Sequence, residues 1–128
     1  MSSQTGKYAI PYTQSSDTVA SVAATMQALA NRVDLLLGET GIWTPVMAAN
    51  TQIATVITLA RVYPGNVAAA QPGFVAVEVA GSVGSGVIVQ HWVDTFTGTS
   101  TTITGFTLHA ISSTATTRQF SWRFVPVL

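Results

Sequence analysis

The sequence predicts a mainly β chain: an N-terminal extended arm and a short coiled-coil helix, then a compact antiparallel β-sandwich head. Three observations carry this expectation. Residues 19–37 hold an apolar stripe at heptad spacing. From Ile42 onward the chain is rich in Val, Thr, Ile and aromatics and is broken by glycines, as strands and turns are. Charged residues make up 8% of 128, against about 25% in an ordinary soluble domain. Such a surface must be covered by Thr, Ser, Gln and Gly or be buried against neighbouring subunits.

Residues 1–16 read as an extended attachment arm. Pro11 fixes its own φ and biases Ile10 towards an extended conformation. Tyr8, Ile10 and Tyr12 alternate, so one side of the arm is suited to lie on another surface.

Residues 17–38 read as an oligomerising helix, with Ser16 or Asp17 as N-cap and Gly38 as the stop. Val19, Val22, Met26, Leu29, Val33 and Leu36 follow one another at steps of three and four. That spacing keeps one seam apolar along a partner helix. The stretch from Val19 to Leu37 would be roughly 28 Å long at 1.5 Å per residue, and an isolated helix of that length is marginal in water. The flanking positions Ala23, Thr25, Ala30, Arg32 and Leu37 are mostly small or apolar and broaden the face. Taken alone, this chemistry tolerates a parallel dimer and does not fix the number of copies. The plainer alternative is a helix lying across its own β domain.

Residues 42–128 read as the head. Strands are expected over Ile53–Tyr63, Phe74–Ala80, Gly86–Asp94, Thr101–Ile111 and Thr117–Val125, with turns at Pro64-Gly65-Asn66 and Gly81–Gly86. Val75, Val77 and Val79 share one face; so do Phe106, Leu108 and Ala110, and Phe120, Trp122 and Phe124. The Gly86–Asp94 segment is apolar on both faces, which predicts cover on both. Short strands with turn signals about every ten residues are the pattern of an antiparallel sandwich.

Composition excludes several functions. Five basic and five acidic residues are scattered without a cluster, so the electrostatic footprint of a nucleic-acid binder is missing, as is a polybasic membrane contact. No run of about 20 apolar residues could span a bilayer, and the N-terminal residues lack the apolar centre of a signal peptide. With no cysteine there are no disulfides, Cys-based zinc sites or thiol chemistry.

The catalytic inventory is thin. His91 and Asp94 stand three apart on a strand, so their side chains leave opposite faces. His109 lies on another strand and could approach His91, but two histidines without a placed carboxylate make a poor metal site. No nucleophile motif occurs, and the Gly81–Gly86 run lacks the spacing and lysine of a phosphate loop. The chain therefore reads as non-enzymatic, with no metal and no cofactor. Trp43, Trp92, His91 and His109 are the candidates for a ligand or interface. An exposed indole would offer a sugar a flat apolar face. Parity assigns Trp122 to the core, and Trp92 to core or interface. Trp43, before Pro45, is placed to lock the junction of stalk and head.

The segment Lys7-Tyr-Ala-Ile-Pro-Tyr-Thr-Gln-Ser-Ser-Asp17, with Met26-Gln-Ala-Leu-Ala-Asn-Arg-Val-Asp34, resembles the N-terminal part of small virion proteins of tailed bacteriophages. Gly105-Phe-Thr-Leu-His-Ala-Ile111 and Phe120-Ser-Trp-Arg-Phe124 are similar to the last strands of trimeric heads in phage fibres and H-type lectins. Together the matches cover about a quarter of the chain. The resemblance implies a non-enzymatic homotrimer on the virion surface, anchored by arm and helix to major capsid or tail proteins. It would serve as capsid decoration, as a head fibre or as a short tail fibre. The alternative is a module that binds a host surface glycan. No sugar-binding residue carries over from the lectins position by position.

Overall fold

The structure, a computed structural model, describes residues 3–5, 10–12 and 18–127. The chain divides at Gly38/Glu39 into two compact units.

In the first unit, β1 (Ser3–Thr5) and β2 (Ile10–Tyr12) pair antiparallel, with Ser3 opposite Tyr12 and Thr5 opposite Ile10. The face expected to attach through Tyr8, Ile10, Pro11 and Tyr12 lies outside the described residues: Tyr8 entirely, the other three in their side chains. Helix α1 spans Val19–Leu37. Its N-cap is Thr18, not Ser16 or Asp17. The Thr18 hydroxyl accepts the Ser21 N–H at 3.2 Å and its carbonyl accepts the Val22 N–H at 2.8 Å. A β-hydroxyl in extended backbone is what an N-cap needs, and Thr18 meets that one residue past the acidic candidate. The helix ends at Gly38, whose φ of 72° is a conformation glycine adopts without penalty. Gln27 donates to Asn31 one turn on, at 3.0 Å.

The second unit is all strand and turn: β3 (Glu39–Trp43), β4 (Val46–Met47), β5 (Ile53–Pro64), β6 (Gly73–Val79), β7 (Val89–Gly98), β8 (Thr102–Ser112), β9 (Thr116–Thr117) and β10 (Phe120–Pro126). Every pairing is antiparallel. One three-stranded sheet has the order β3-β10-β6, another the order β5-β8-β7, and β4 pairs with β9. The chain is mainly β with one N-terminal helix, as the sequence leads one to expect.

Alternation builds the core. On β10, Phe120, Trp122 and Phe124 are buried while Ser121 and Arg123 are exposed. On β8, Ile103, Phe106, Leu108 and Ala110 are buried. The inward aromatics of one sheet meet those of the other. Phe106 stands edge-on to Trp122 with centroids 5.3 Å apart, and Tyr63 lies 5.0 Å from Phe124. Such tilted and edge-to-face pairs contribute about 0.5–1.5 kcal/mol each beyond their area.

Three features depart from the sequence expectation. The head begins at Glu39, not Ile42, because β3 is a strand despite Gly41. The Trp122 ring lies where a Gly41 side chain would stand, so glycine is there for close approach. Glu39 also reaches β5, where its carboxylate accepts the Ala60 and Arg61 N–H groups at 3.0 and 3.3 Å. These amides fall in the register shift between Thr58 and Tyr63. Next, the strand expected over Gly86–Asp94 runs Val89–Gly98, and only one of its faces is covered. Val89, His91 and Val93 are half-buried; Gln90, Trp92 and Asp94 are exposed. Finally, Trp43 is a core residue of the head, its ring 5.3 Å from Phe120.

Candidate functional site

Two surfaces carry the residues singled out from the sequence. The first is the heptad seam of α1. Val19 is 88% exposed and Met26 62%; Leu29 and Val33 are exposed, and Val22 and Leu36 are half-buried. The one buried residue of the helix is Thr25, whose hydroxyl donates to the Ser21 carbonyl at 2.9 Å. Ser21, Thr25, Arg32 and Leu35 form a better-covered stripe beside the seam, and β2 lies against the helix. The single chain thus leaves most of its heptad positions in water.

The second surface is the outer face of the β5-β8-β7 sheet. Register places Trp92 of β7 directly opposite His109 of β8, and the two rings stack at 5.2 Å with planes 4° apart. Asp94 is the extra residue of a β-bulge, lying between the pairs Val93↔Leu108 and Thr95↔Thr107. The bulge lets its carboxylate reach back diagonally to His109 Nε2 at 2.8 Å. Gln52, just before β5, brings its amide nitrogen within 2.7 Å of His109 Nδ1.

The hydrogen-bond roles follow from chemistry. An amide nitrogen only donates, so in the tautomer that matches this geometry Nδ1 accepts from Gln52 and Nε2–H donates to Asp94. Both imidazole nitrogens are engaged in these two contacts. Its side chain is 12% exposed and that of Asp94 50%. Trp92, at 36%, is the exposed member of the three tryptophans.

His91 does not join this cluster. It registers opposite Ala110 on the other face of the sheet and stands edge-on to Phe120 at 5.8 Å. The two histidines consequently point to opposite faces. Among the described residues no group of three or more His, Cys, Asp or Glu side chains could hold a metal ion.

Sequence reasoning named Trp92 and His109, weighed Asp94 only against His91, and missed Gln52. The signal for Asp94 was its parity with Trp92 on one strand. What turns parity into a contact is the β7–β8 register, which the sequence does not display.

Compared with models of protein families, with curated proteins and with solved structures, the chain matches none of them.

Proposed function

We propose that this chain is a non-enzymatic structural protein on the surface of a tailed bacteriophage virion. In this reading it is a homotrimer with a β-sandwich head, anchored by its arm and helix to major capsid or tail proteins. The observation that carries the assembly part is the open seam: Val19, Met26, Leu29 and Val33 face solvent on a helix too short to be stable alone. Three helices joined along that seam would bury it, and the head already closes a core of its own. The phage part rests on the resemblance of Lys7–Asp17 and Met26–Asp34 to virion proteins. Low charge supports both parts, since faces buried between subunits need few ions.

The test is direct. Light scattering on the purified chain should give three times the 13.4 kDa chain mass. A gold-labelled antibody against the head should then decorate phage particles, over the capsid for a decoration protein or at the tail tip for a fibre. A monomer in solution would sink the trimer, and bare particles would sink the virion role.

A second reading, a head that binds host glycan, is favoured by one observation. The exposed indole of Trp92 stands beside a half-exposed carboxylate in an otherwise Thr-rich face. The two readings are compatible in a fibre.

A further inference from the structure

We infer that a second copy of this chain docks on α1 through the strip Val19, Ala23, Met26, Ala30, Val33 and Leu37, rather than through the heptad line read from the sequence. This rests on the assembly reading above and names its contact face.

The heptad line and the strip share Val19, Met26 and Val33 and differ at the other three positions. Val22 and Leu36 of the line are half-buried within the single chain, and Leu29 is the least exposed of the remaining four. Ala23, Ala30 and Leu37 are exposed instead. At about 100° per residue, the six residues of the strip fall within an arc of about 80°, centred about 50° from the middle of the heptad line. The rotation is away from buried Thr25 and from half-buried Ser21, Arg32 and Leu35. The single chain thus covers one side of the heptad line and leaves open a strip shifted to the other side.

The strip has the geometry of helix-to-helix packing. Its steps alternate four and three, as a heptad seam does. An open depression of about 500 Å³ is lined by Ala30, Asn31, Val33, Asp34 and Leu37. Ala30, Val33, Asp34 and Leu37 stand at i, i+3, i+4 and i+7, the four positions that frame a hole for a knob from a facing helix. In a parallel, in-register pair the knob that enters is Val33 of the neighbouring copy. The alanines at 23 and 30, one heptad apart, let a facing backbone come close. Met26, Val33 and Leu37 supply the bulk between and beyond them.

The chemistry selects a copy of the same face. No ionisable side chain lies within the strip, so like meets like without desolvating a charge. There is one helix among the described residues, so a facing helix belongs to another molecule. Area bears on the number of neighbours. A strip roughly 27 Å long on a helix about 10–12 Å across offers a few hundred Å², short of the about 800 Å² that each partner gives to a standard interface. Meeting two neighbours raises the buried area, because the apolar flank of Val22, Leu29 and Leu36 then adds to the strip. The opposite rim is polar, with Asp34 and with Gln27 donating to Asn31, and stays in water.

The chain has no cysteine, so single-cysteine variants of the full chain report contacts cleanly. On oxidation with diamide, Ala23→Cys and Ala30→Cys should form disulfide-linked pairs on a non-reducing gel. Val22→Cys and Leu36→Cys should lag well behind them. Ala24→Cys, about 140° round the helix from the centre of the strip, should form none. In light scattering, Ala30→Asp should reduce the mass to the 13.4 kDa of one chain, whereas Ala24→Asp should leave it unchanged. The cysteine variants change little in size, so misfolding of the Ala30→Asp variant cannot rescue the inference. Pairing that favours Val22→Cys or Leu36→Cys, or an assembly that survives Ala30→Asp, would overturn it and leave the oligomer standing. So would an intact assembly in which Ala23→Cys and Ala30→Cys fail to pair, which would give the strip to another occupant. A monomeric wild-type chain would overturn both the inference and the assembly reading.

Discussion

Helix α1 and strand β10 are both rich in apolar residues, yet the helix leaves most of its seam exposed while the strand buries its aromatic face. On β10, Phe120 and Phe124 have no exposure at all, and each meets aromatics from the facing sheet. On α1, Val19, Met26, Leu29 and Val33 are exposed, and Thr25 alone is buried. Period explains the contrast. Residues alternating at two find their complement on neighbouring strands of the same chain. Residues repeating at three and four are suited to pack along another helix, and there is one helix among the described residues. The head buries its own aromatic face, and the helix leaves most of its seam exposed; in the proposed trimer that seam is what joins the copies.

That contrast can be broken most severely at the seam. Replacing both Leu29 and Val33 with Asp should reduce the mass in light scattering to that of one chain while the β dichroism remains. An unchanged mass would mean that the seam packs within its own chain. Next in size, Phe124→Ala should cost the head about 3–5 kcal/mol, because it opens a cavity where Tyr63, Phe96 and Phe106 converge. The loss should appear in urea unfolding of the head in the monomeric background too; a loss confined to the oligomer would mean that the head does not close its core alone. Gly41→Ala should cost about 1–3 kcal/mol by pushing its methyl into Trp122, and the near-ultraviolet tryptophan signal should change with it. The smallest effect is expected from Thr18→Ala. Removing the cap should cost the helix about 1 kcal/mol and lower the melting temperature of the assembly without touching the head.

Legibility in the sequence follows the same division. The inward faces of β8 and β10 could be read from Phe106, Leu108 and Ala110 and from Phe120, Trp122 and Phe124, because strict alternation with polar residues leaves one assignment. Gly38 as the helix stop was equally plain. β3 was hidden, since Glu39 and Gly41 are weak strand formers, and glycine at 41 is set by the close approach of the Trp122 ring. β7 was ambiguous: Val89, His91 and Val93 are no more apolar than Ile88 and Trp92, so composition could not say which face was inside. The bulge at Asp94 deepened the ambiguity. It resets the alternation, placing Asp94 and Thr95 both outward and returning Phe96 inward against Phe106. The Gln52–His109–Asp94 network depends on that bulge and on register, and neither leaves a mark on a linear pattern.

The place of β10 sets an order on biosynthesis. It is the last strand in the chain, yet it is the middle strand of its sheet, joining β3 to β6. Until it leaves the ribosome, neither neighbour has a hydrogen-bonding partner in that sheet, and the facing aromatics have nothing to close on. Helix α1 is synthesised first. At ordinary synthesis rates, on the order of ten seconds separates Leu37 from Phe120. On a polysome, nascent seams could meet while the heads behind them are still open. In the proposed trimer, chains made from one message would then be favoured as partners.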